Sequence, residues 1–178
     1  MLSLSPRLLW SAMTAGCLFM VAVSFVLTDW LHLNPCHLCI FQRLLYLMLI
    51  PPALLAALLT PHPAARIPGL LTLPLAAAGA AAAGYQGWLQ REPLGTVSCV
   101  GGQPDPIELA VEWLGQRMPE LFLATGFCED PELIILGLSL ADWSLLGYIG
   151  CLLAAAWALW PRPRAQASPH PDLSENRP

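Results

Sequence analysis

Four long apolar stretches constrain the fold of this 178-residue chain more than any other feature. A helix that crosses a membrane needs about 20 mostly apolar residues, with a range of roughly 17–25. The candidate spans are residues 8–27, 40–59, 69–89 and 143–160. The second span reaches back to residue 40 only by including Arg43. We therefore predict an all-α integral membrane protein built on a bundle of four transmembrane helices.

The composition agrees with a membrane protein and excludes other classes. Charged residues make up 11% of the chain, against about 25% in an average soluble domain. Hydrophobic residues make up 56%, which is too much for an intrinsically disordered chain. The net charge of -4, with no lysine present, argues against nucleic-acid binding.

The arginines predict how the four spans are oriented, because cytoplasmic loops are enriched in basic residues. Four arginines that flank the spans fall on one side: Arg7, Arg66, Arg162 and Arg164. The opposite side holds loops of about residues 28–39 and 90–142, and the longer loop carries nine acidic residues against two arginines. We expect both termini in the cytoplasm and these two loops on the exoplasmic side.

The rest of the chain is organised around the spans. Residues 1–160 are expected to form the membrane domain, and residues 161–178 a disordered cytoplasmic tail. The first span is expected to be retained, because it is longer than a signal-peptide core and no A-x-A-like site follows it. The amphipathic pattern of residues 106–118 predicts a short helix near the membrane surface. Residues 133–140 are apolar but too short to span, so we expect an interfacial helix there.

Six cysteines occupy three kinds of position. Cys36 and Cys39 form a C-x-x-C motif where the short exoplasmic loop meets the second span. Cys99 and Cys128 lie in the long exoplasmic loop, on the oxidising side where disulfides persist. The other two, Cys17 and Cys151, fall inside spans and are expected to be small packing residues.

The cysteines alone leave several interpretations open. The loop pair can be a structural disulfide that staples the loop. A zinc site would need two more ligands and lacks the usual paired spacing. A haem attachment motif would need histidine where Ile40 stands. We expect no metal site.

Redox chemistry has the strongest physical support. A helix N-terminus near the C-x-x-C motif favours thiolate. Arg43 follows Cys39 by four residues and lies on the same helix face, one turn deeper. A charge at that depth is costly and marks a functional site by default. The alternative is a snorkelling arginine that marks the interface. His37 is expected to be an exposed residue that modulates the pair.

The segment PCHLCIFQR at residues 35–43 closely resembles the P-C-x-L-C-x-x-x-R segment of the bacterial disulfide bond formation protein B (DsbB) family. The resemblance continues in WLQ at 88–90, LFLATGFC at 121–128 and LGLSLADWSL at 136–145. It covers roughly residues 8–160 and includes both cysteine pairs in order.

The resemblance implies an inner-membrane oxidoreductase that reoxidises a periplasmic thioredoxin-fold oxidase (DsbA-like) and passes the electrons to membrane quinone. It implies the disulfides Cys36–Cys39 and Cys99–Cys128. Cys99 would form the mixed disulfide with the partner, and Cys128 would attack Cys36, freeing Cys39 beside the quinone. Ubiquinone is the expected acceptor and menaquinone the alternative, and the respiratory chain would reoxidise the quinol. Arg43 would bind a quinone oxygen.

One departure from the family pattern affects the quinone site. Many relatives carry a basic or imidazole residue just before WLQ, whereas this chain has GYQG. A second hydrogen bond to the quinone would therefore come from Gln86 or Gln90. Gln42 is common in the family and receives no role.

The sequence is also compatible with other functions. Vitamin K epoxide reductase-like proteins also couple four helices and a loop cysteine pair to a quinone, but their C-x-x-C comes after the loop pair. A membrane scaffold or transporter subunit with structural disulfides is the non-enzymatic alternative. Within the DsbB family, a dedicated partner and a general oxidase are both compatible with the sequence. The resting disulfides can also be rearranged, with Cys36 linked to Cys128.

Overall fold

Four long helices form the body of the protein in a computed structural model that describes residues 5–92, 106–128, 130–131 and 133–160. The helices in chain order are α1 (Pro6–Leu31), α2 (His37–Leu59), α3 (Arg66–Leu89), α4 (Pro106–Arg117), α5 (Pro119–Phe122) and α6 (Leu140–Leu159). Helices α1, α2, α3 and α6 are long and apolar enough to cross a membrane. The predicted all-α, four-span fold is confirmed. The predicted tail, residues 161–178, lies outside the described residues.

The helix ends differ by a few residues from the predicted spans. Helix α1 continues to Leu31, α2 begins at His37, α3 begins at Arg66 and α6 begins at Leu140. Apolar length locates the hydrocarbon crossing, whereas capping groups decide where a helix starts. The side chain of Ser139, for example, accepts a hydrogen bond from the Asp142 N–H, and the Asp142 carboxylate accepts one from the Ser139 N–H. This capping box starts α6 three residues before the predicted span.

The four long helices pack in a ring, in which α1 and α3 each contact both α2 and α6. Across the centre, the Tyr46 and Tyr148 rings stack with centroids 4.1 Å apart. Tyr148 donates to the Gln42 carbonyl oxygen at 2.7 Å, and Tyr46 donates to the Ser144 carbonyl oxygen at 2.9 Å. A Cβ at Gly79 would overlap the Tyr148 ring, so α3 approaches this closely only with glycine there.

A smaller cluster attaches α4 and α5 to the bundle. Val111 of α4 and Phe122 of α5 are buried together with Ile40 of α2. Helix α4 covers the segment in which the sequence predicts a short helix, residues 106–118. Its location at the periplasmic membrane surface stays a prediction.

The interfacial helix predicted over residues 133–140 is wrong. Strands Ile134–Ile135 and Leu138–Ser139 pair as a short antiparallel hairpin, here β1 and β2. Leu136 and Gly137 form the turn with φ of 55° and 80°, and positive φ at both central residues is typical of a tight hairpin turn. The turn breaks the helical path that the apolar run suggested.

Candidate functional site

The two cysteines of the C-x-x-C motif lie at the N-terminus of α2. Cys36 is the N-cap residue, and its Sγ accepts a hydrogen bond from the Cys39 N–H at 3.4 Å. The Cys36 thiol donates to the Cys39 Sγ at 3.1 Å. Cys36 is buried, whereas Cys39 is partly exposed. The helix N-terminus carries partial positive charge, so this position favours a negative sulfur.

The segment that leads to Cys128 is tied to the residues just before the motif. The N–H groups of Thr125 and Gly126 both donate to the Pro35 carbonyl oxygen, at 3.0 and 3.3 Å. Thr125 Oγ1 also donates to Asn34 Oδ1 at 3.2 Å. A Cβ at Gly126 would overlap the Asn34 carbonyl oxygen, so the two backbones can approach this closely only with glycine.

This docking buries Cys128 against the motif. Cys128 is 3% exposed and belongs to one buried cluster with Cys36, Leu38 and Leu89, against which Cys39 packs. Hydrogen bonding to Cys128 and to Cys39, together with burial, raises the pKa of the Cys36 thiol. The raised pKa keeps the Cys36 thiol protonated at neutral pH.

Arg43 lies one turn deeper in α2 and is almost fully buried, at 5% exposure. Its guanidinium donates to Ser24 Oγ at 3.0 Å, Thr28 Oγ1 at 3.1 Å and the Leu121 carbonyl oxygen at 3.1 Å. The Phe25 ring lies 4.3 Å from Arg43 Cζ and adds a cation–π contact. These contacts argue against the snorkelling alternative, which would bring the guanidinium to water.

A pair of buried glutamines reaches the motif from α2 and α3. Gln86 Nε2 lies 3.0 Å from Cys39 Sγ and 3.4 Å from Cys36 Sγ, and it donates to both sulfurs. Gln86 Oε1 accepts a hydrogen bond from Gln42 Nε2 at 2.7 Å. The Gln86 carboxamide is therefore engaged by sulfur and by Gln42, a partner to which the sequence reasoning gave no role.

A cavity of about 350 Å³ opens beside the motif. Five predicted site residues line it: Cys36, Cys39, Arg43, Gln86 and Gln90. Apolar side chains of α1 and α6, such as Phe19, Leu27 and Leu140, form much of the remaining wall. Gln90 Oε1 and Ser144 Oγ in this wall are buried and have no hydrogen-bond partner among the described residues. Unpartnered buried polar atoms of this kind are free to bind a ligand.

Comparison with known proteins identifies the family to which this chain is related. The family described as "Disulfide bond formation protein DsbB" matches residues 6–158. The chain is 43% identical over 150 residues to a disulfide bond formation protein B from Dechloromonas aromatica (strain RCB), covering 84% of this chain and 89% of the relative. It is 34% identical over 157 residues to one from Azoarcus sp. (strain BH72), covering 88% and 93%.

The chain belongs to the DsbB family. It is accordingly a multi-pass membrane oxidoreductase of disulfide bond formation. The DsbB match runs along nearly the whole chain, so the vitamin K epoxide reductase-like alternative has no support.

The DsbB site is described only in part. Cys99 lies outside the described residues, so the predicted Cys99–Cys128 disulfide stays a prediction. The Cys36–Cys39 disulfide is likewise a prediction, with both residues present as thiols. Cys17 and Cys151 face each other in the bundle core with their sulfurs 3.9 Å apart, a position that suits packing residues.

Sequence reasoning missed several residues around the DsbB motif. They are Ser24 and Thr28, which bind Arg43, Gln42, which binds Gln86, and Ser144, which lines the cavity. One signal was available for the two hydroxyls, because they are spaced i, i+4 on one face of α1. The Leu121 carbonyl oxygen carries no such signal, since a backbone acceptor is present at every residue.

Proposed function

We propose that this DsbB family member reoxidises a soluble DsbA-like thioredoxin-fold oxidase of the periplasm and passes the electrons through its two cysteine pairs to membrane quinone. The observation that carries the proposal is the burial of Cys128 against Cys36, beside a cavity that also presents Cys39 and Arg43. A loop cysteine is thus in place to exchange with a motif that borders a mostly apolar cavity. The loop can meet a soluble protein, and the cavity can admit a lipid-soluble acceptor.

The first half of the relay takes electrons from the partner. A partner thiolate attacks the Cys99–Cys128 disulfide, a bond forms to Cys99, and Cys128 leaves as a thiolate. The second partner thiol then attacks the mixed disulfide, so the partner departs oxidised and Cys99 is left reduced. Two electrons have moved from the partner to the loop pair.

The second half moves those electrons to the motif. The Cys128 thiolate attacks Cys36 of the Cys36–Cys39 disulfide, and Cys39 leaves as a thiolate. Cys99 then attacks Cys128, which restores the loop disulfide and releases Cys36 as a thiol. The raised pKa of the Cys36 thiol favours its protonated form, while the helix N-terminus and the Gln86 amide stabilise charge on Cys39.

The cavity suits a quinone ring. Ubiquinone is the acceptor we propose, with menaquinone as the alternative, and when bound it accepts two electrons and two protons. Arg43 uses three guanidinium donors on protein oxygens, which leaves two of its five N–H groups for a ligand oxygen, counting partners among the described residues. Gln90 and Ser144 offer the unpartnered polar atoms of the same cavity. Gln86 also lines the cavity, but its amide hydrogens face the sulfurs.

The relay requires a fixed membrane orientation, and we propose the bacterial inner membrane with both termini in the cytoplasm. The arginine distribution supports this orientation. The N-terminal end of α2, with the C-x-x-C motif, then faces the periplasm, where the soluble partner is found. The quinone pool and the respiratory chain are reached from within the same membrane.

The test is ubiquinone reduction by the detergent-purified protein when a reduced DsbA-like oxidase is added. The native protein is expected to consume quinone in step with partner oxidation. Cys39→Ser and Cys99→Ser should each reduce the rate to background, because each breaks one pair. Cys17→Ala is the matched control, since it removes a buried thiol outside the relay and should leave the rate unchanged.

Two outcomes would contradict the proposal. If the native protein leaves both dithiol and quinone untouched with several partners and quinones, the cysteines are structural and the scaffold alternative holds. If Cys99→Ser turns over at the native rate, the loop pair is not part of the electron path.

A further inference from the structure

The two buried glutamines beside the motif form a series of hydrogen bonds, from Gln42 to Gln86 and from Gln86 to the cysteine sulfurs. Gln42 is 4% exposed and Gln86 is 3% exposed. We propose that Gln42 is a positioning residue, which orients the Gln86 carboxamide so that its N–H groups, and not its oxygen, face Cys39. The inference deepens the proposed function and rests on it for its catalytic meaning.

The orientation of Gln86 matters because its two ends act in opposite ways. The amide nitrogen donates to a negative sulfur and stabilises it, whereas the oxygen would repel it. Gln42 Nε2 donates to Gln86 Oε1 at 2.7 Å, and this bond keeps the oxygen on the side away from the motif. The nitrogen is thereby held 3.0 Å from Cys39 Sγ.

Gln42 is itself held by the bundle core. Its backbone carbonyl oxygen accepts a hydrogen bond from the Tyr148 hydroxyl at 2.7 Å, and Tyr148 stacks on Tyr46. The hydrogen-bond network therefore runs from α6 through α2 and α3 to the motif. In a buried setting such a network is strong, because solvent cannot replace a lost donor.

Gln86 is the donor best placed to act on Cys39. Arg43 directs its described hydrogen bonds at Ser24, Thr28 and Leu121. Among the described residues, the side-chain hydrogen bonds to Cys39 Sγ come from Gln86 and from the Cys36 thiol. Among the described residues, the titratable or charged groups around the site are Cys36, Cys128, Arg43, Asp29, Tyr46 and Asp130. The test leaves all of them but Cys36 unchanged.

The experiment measures the pH midpoint of Cys39 alkylation by iodoacetamide, read by mass spectrometry. The background is full-length protein with Cys36→Ser, which frees Cys39 from a disulfide while serine keeps the helix cap. Gln86→Met removes the donor and should raise the midpoint by about one pH unit. Gln42→Met leaves Gln86 in place but free to turn, so it should raise the midpoint in the same direction.

A double variant separates positioning from a general effect. Because Gln42 acts through Gln86, adding Gln42→Met to Gln86→Met should cause no further shift. Thr72→Val is the matched control, since it removes another buried hydrogen bond of α3, to the Gly69 carbonyl oxygen, far from the motif. It should leave the midpoint unchanged. If Gln42→Met does not fold, Gln42→Asn keeps the carboxamide but is one methylene shorter and should give the same shift.

The inference is overturned if Gln42→Met leaves the midpoint unchanged, or if the two shifts add in the double variant. Alkylation needs neither quinone nor partner, so its result is independent of turnover. If the variants show the expected midpoint shifts but the protein reduces no quinone, the proposed function is contradicted and the positioning role of Gln42 stands. If the protein reduces quinone but the midpoint does not shift in the variants, the positioning role is contradicted and the proposed function stands.

Discussion

Arg43 donates a hydrogen bond from Nη1 to the carbonyl oxygen of Leu121, 3.1 Å away, and so links the second helix to the segment that carries Cys128. The other guanidinium nitrogens bind Ser24 and Thr28 of α1. One buried cation thus holds three separate parts of the chain around the cavity.

Arg43→Lys is expected to lower kcat/KM for ubiquinone at least about tenfold, because a charge-assisted hydrogen bond contributes about 1.5–3 kcal/mol. A single ammonium cannot reproduce the planar fork that reaches Ser24, Thr28 and Leu121 together. The measurement is quinone reduction at saturating partner. Arg66→Lys, at an exposed position at the start of α3, is the control and should behave as native. A native kcat/KM for Arg43→Lys would show that a positive charge at this position is enough for quinone reduction, without the planar guanidinium.

Gly126→Ala should slow the formation of a Cys36–Cys128 disulfide about tenfold. The added Cβ would overlap the Asn34 carbonyl oxygen, and overpacking typically costs about 1–3 kcal/mol. The assay uses protein with Cys39→Ser and Cys99→Ser, in which mild oxidation links the two remaining site cysteines and mass spectrometry follows the bond. Gly84→Ala is the matched control, because a Cβ there meets no atom within 4 Å. Equal rates for both variants would mean that the docking of residues 125–126 does not hold Cys128 in place.

Ser144→Ala should weaken ubiquinone binding while leaving the melting temperature in detergent unchanged or slightly higher. The hydroxyl is buried in the cavity wall and has no partner among the described residues, so its removal costs the folded protein no known hydrogen bond. We expect a loss of affinity of up to about tenfold. The affinity is measured by the quenching of tryptophan fluorescence when quinone is added. A lower melting temperature with unchanged affinity would place the hydroxyl in the fold and not in the binding site.

The reduced protein should lose stability as the pH rises above about 8.5, the ordinary pKa of a thiol. The pKa of Cys36 is raised in the folded state, so above this pH the unfolded chain releases a proton that the folded chain retains. The stabilisation contributed by the protonated Cys36 thiol is fully present below the pKa that this thiol has in the unfolded chain. It is lost as the pH rises toward the pKa of Cys36 in the folded protein. Melting temperatures of reduced protein from pH 7 to 10 test this. Cys36→Ser should show a shallower decline, and an identical slope would remove Cys36 as the cause.

The sequence predicts some parts of the site and not others, and the division has a physical reason. The C-x-x-C motif and Arg43 belong to one short segment, so their spacing on a helix follows from helix geometry. Gln42 and Gln86 are 44 residues apart, and their contact depends on how α2 and α3 pack. The interfacial helix predicted over residues 133–140 is wrong because an apolar run does not distinguish a short helix from a hairpin.

By itself the sequence determined the four membrane helices, the position of the cysteine motif at a helix start and the family. Apolar length, local spacing and motif order are properties of neighbouring residues, so no packing information is needed to read them. Only the tertiary structure decided that Cys128 lies on Cys36, that Gln86 faces the sulfurs and that Arg43 binds Ser24, Thr28 and Leu121. Those contacts join distant parts of the chain, and they form because a buried polar group must find its partner wherever helix packing places one.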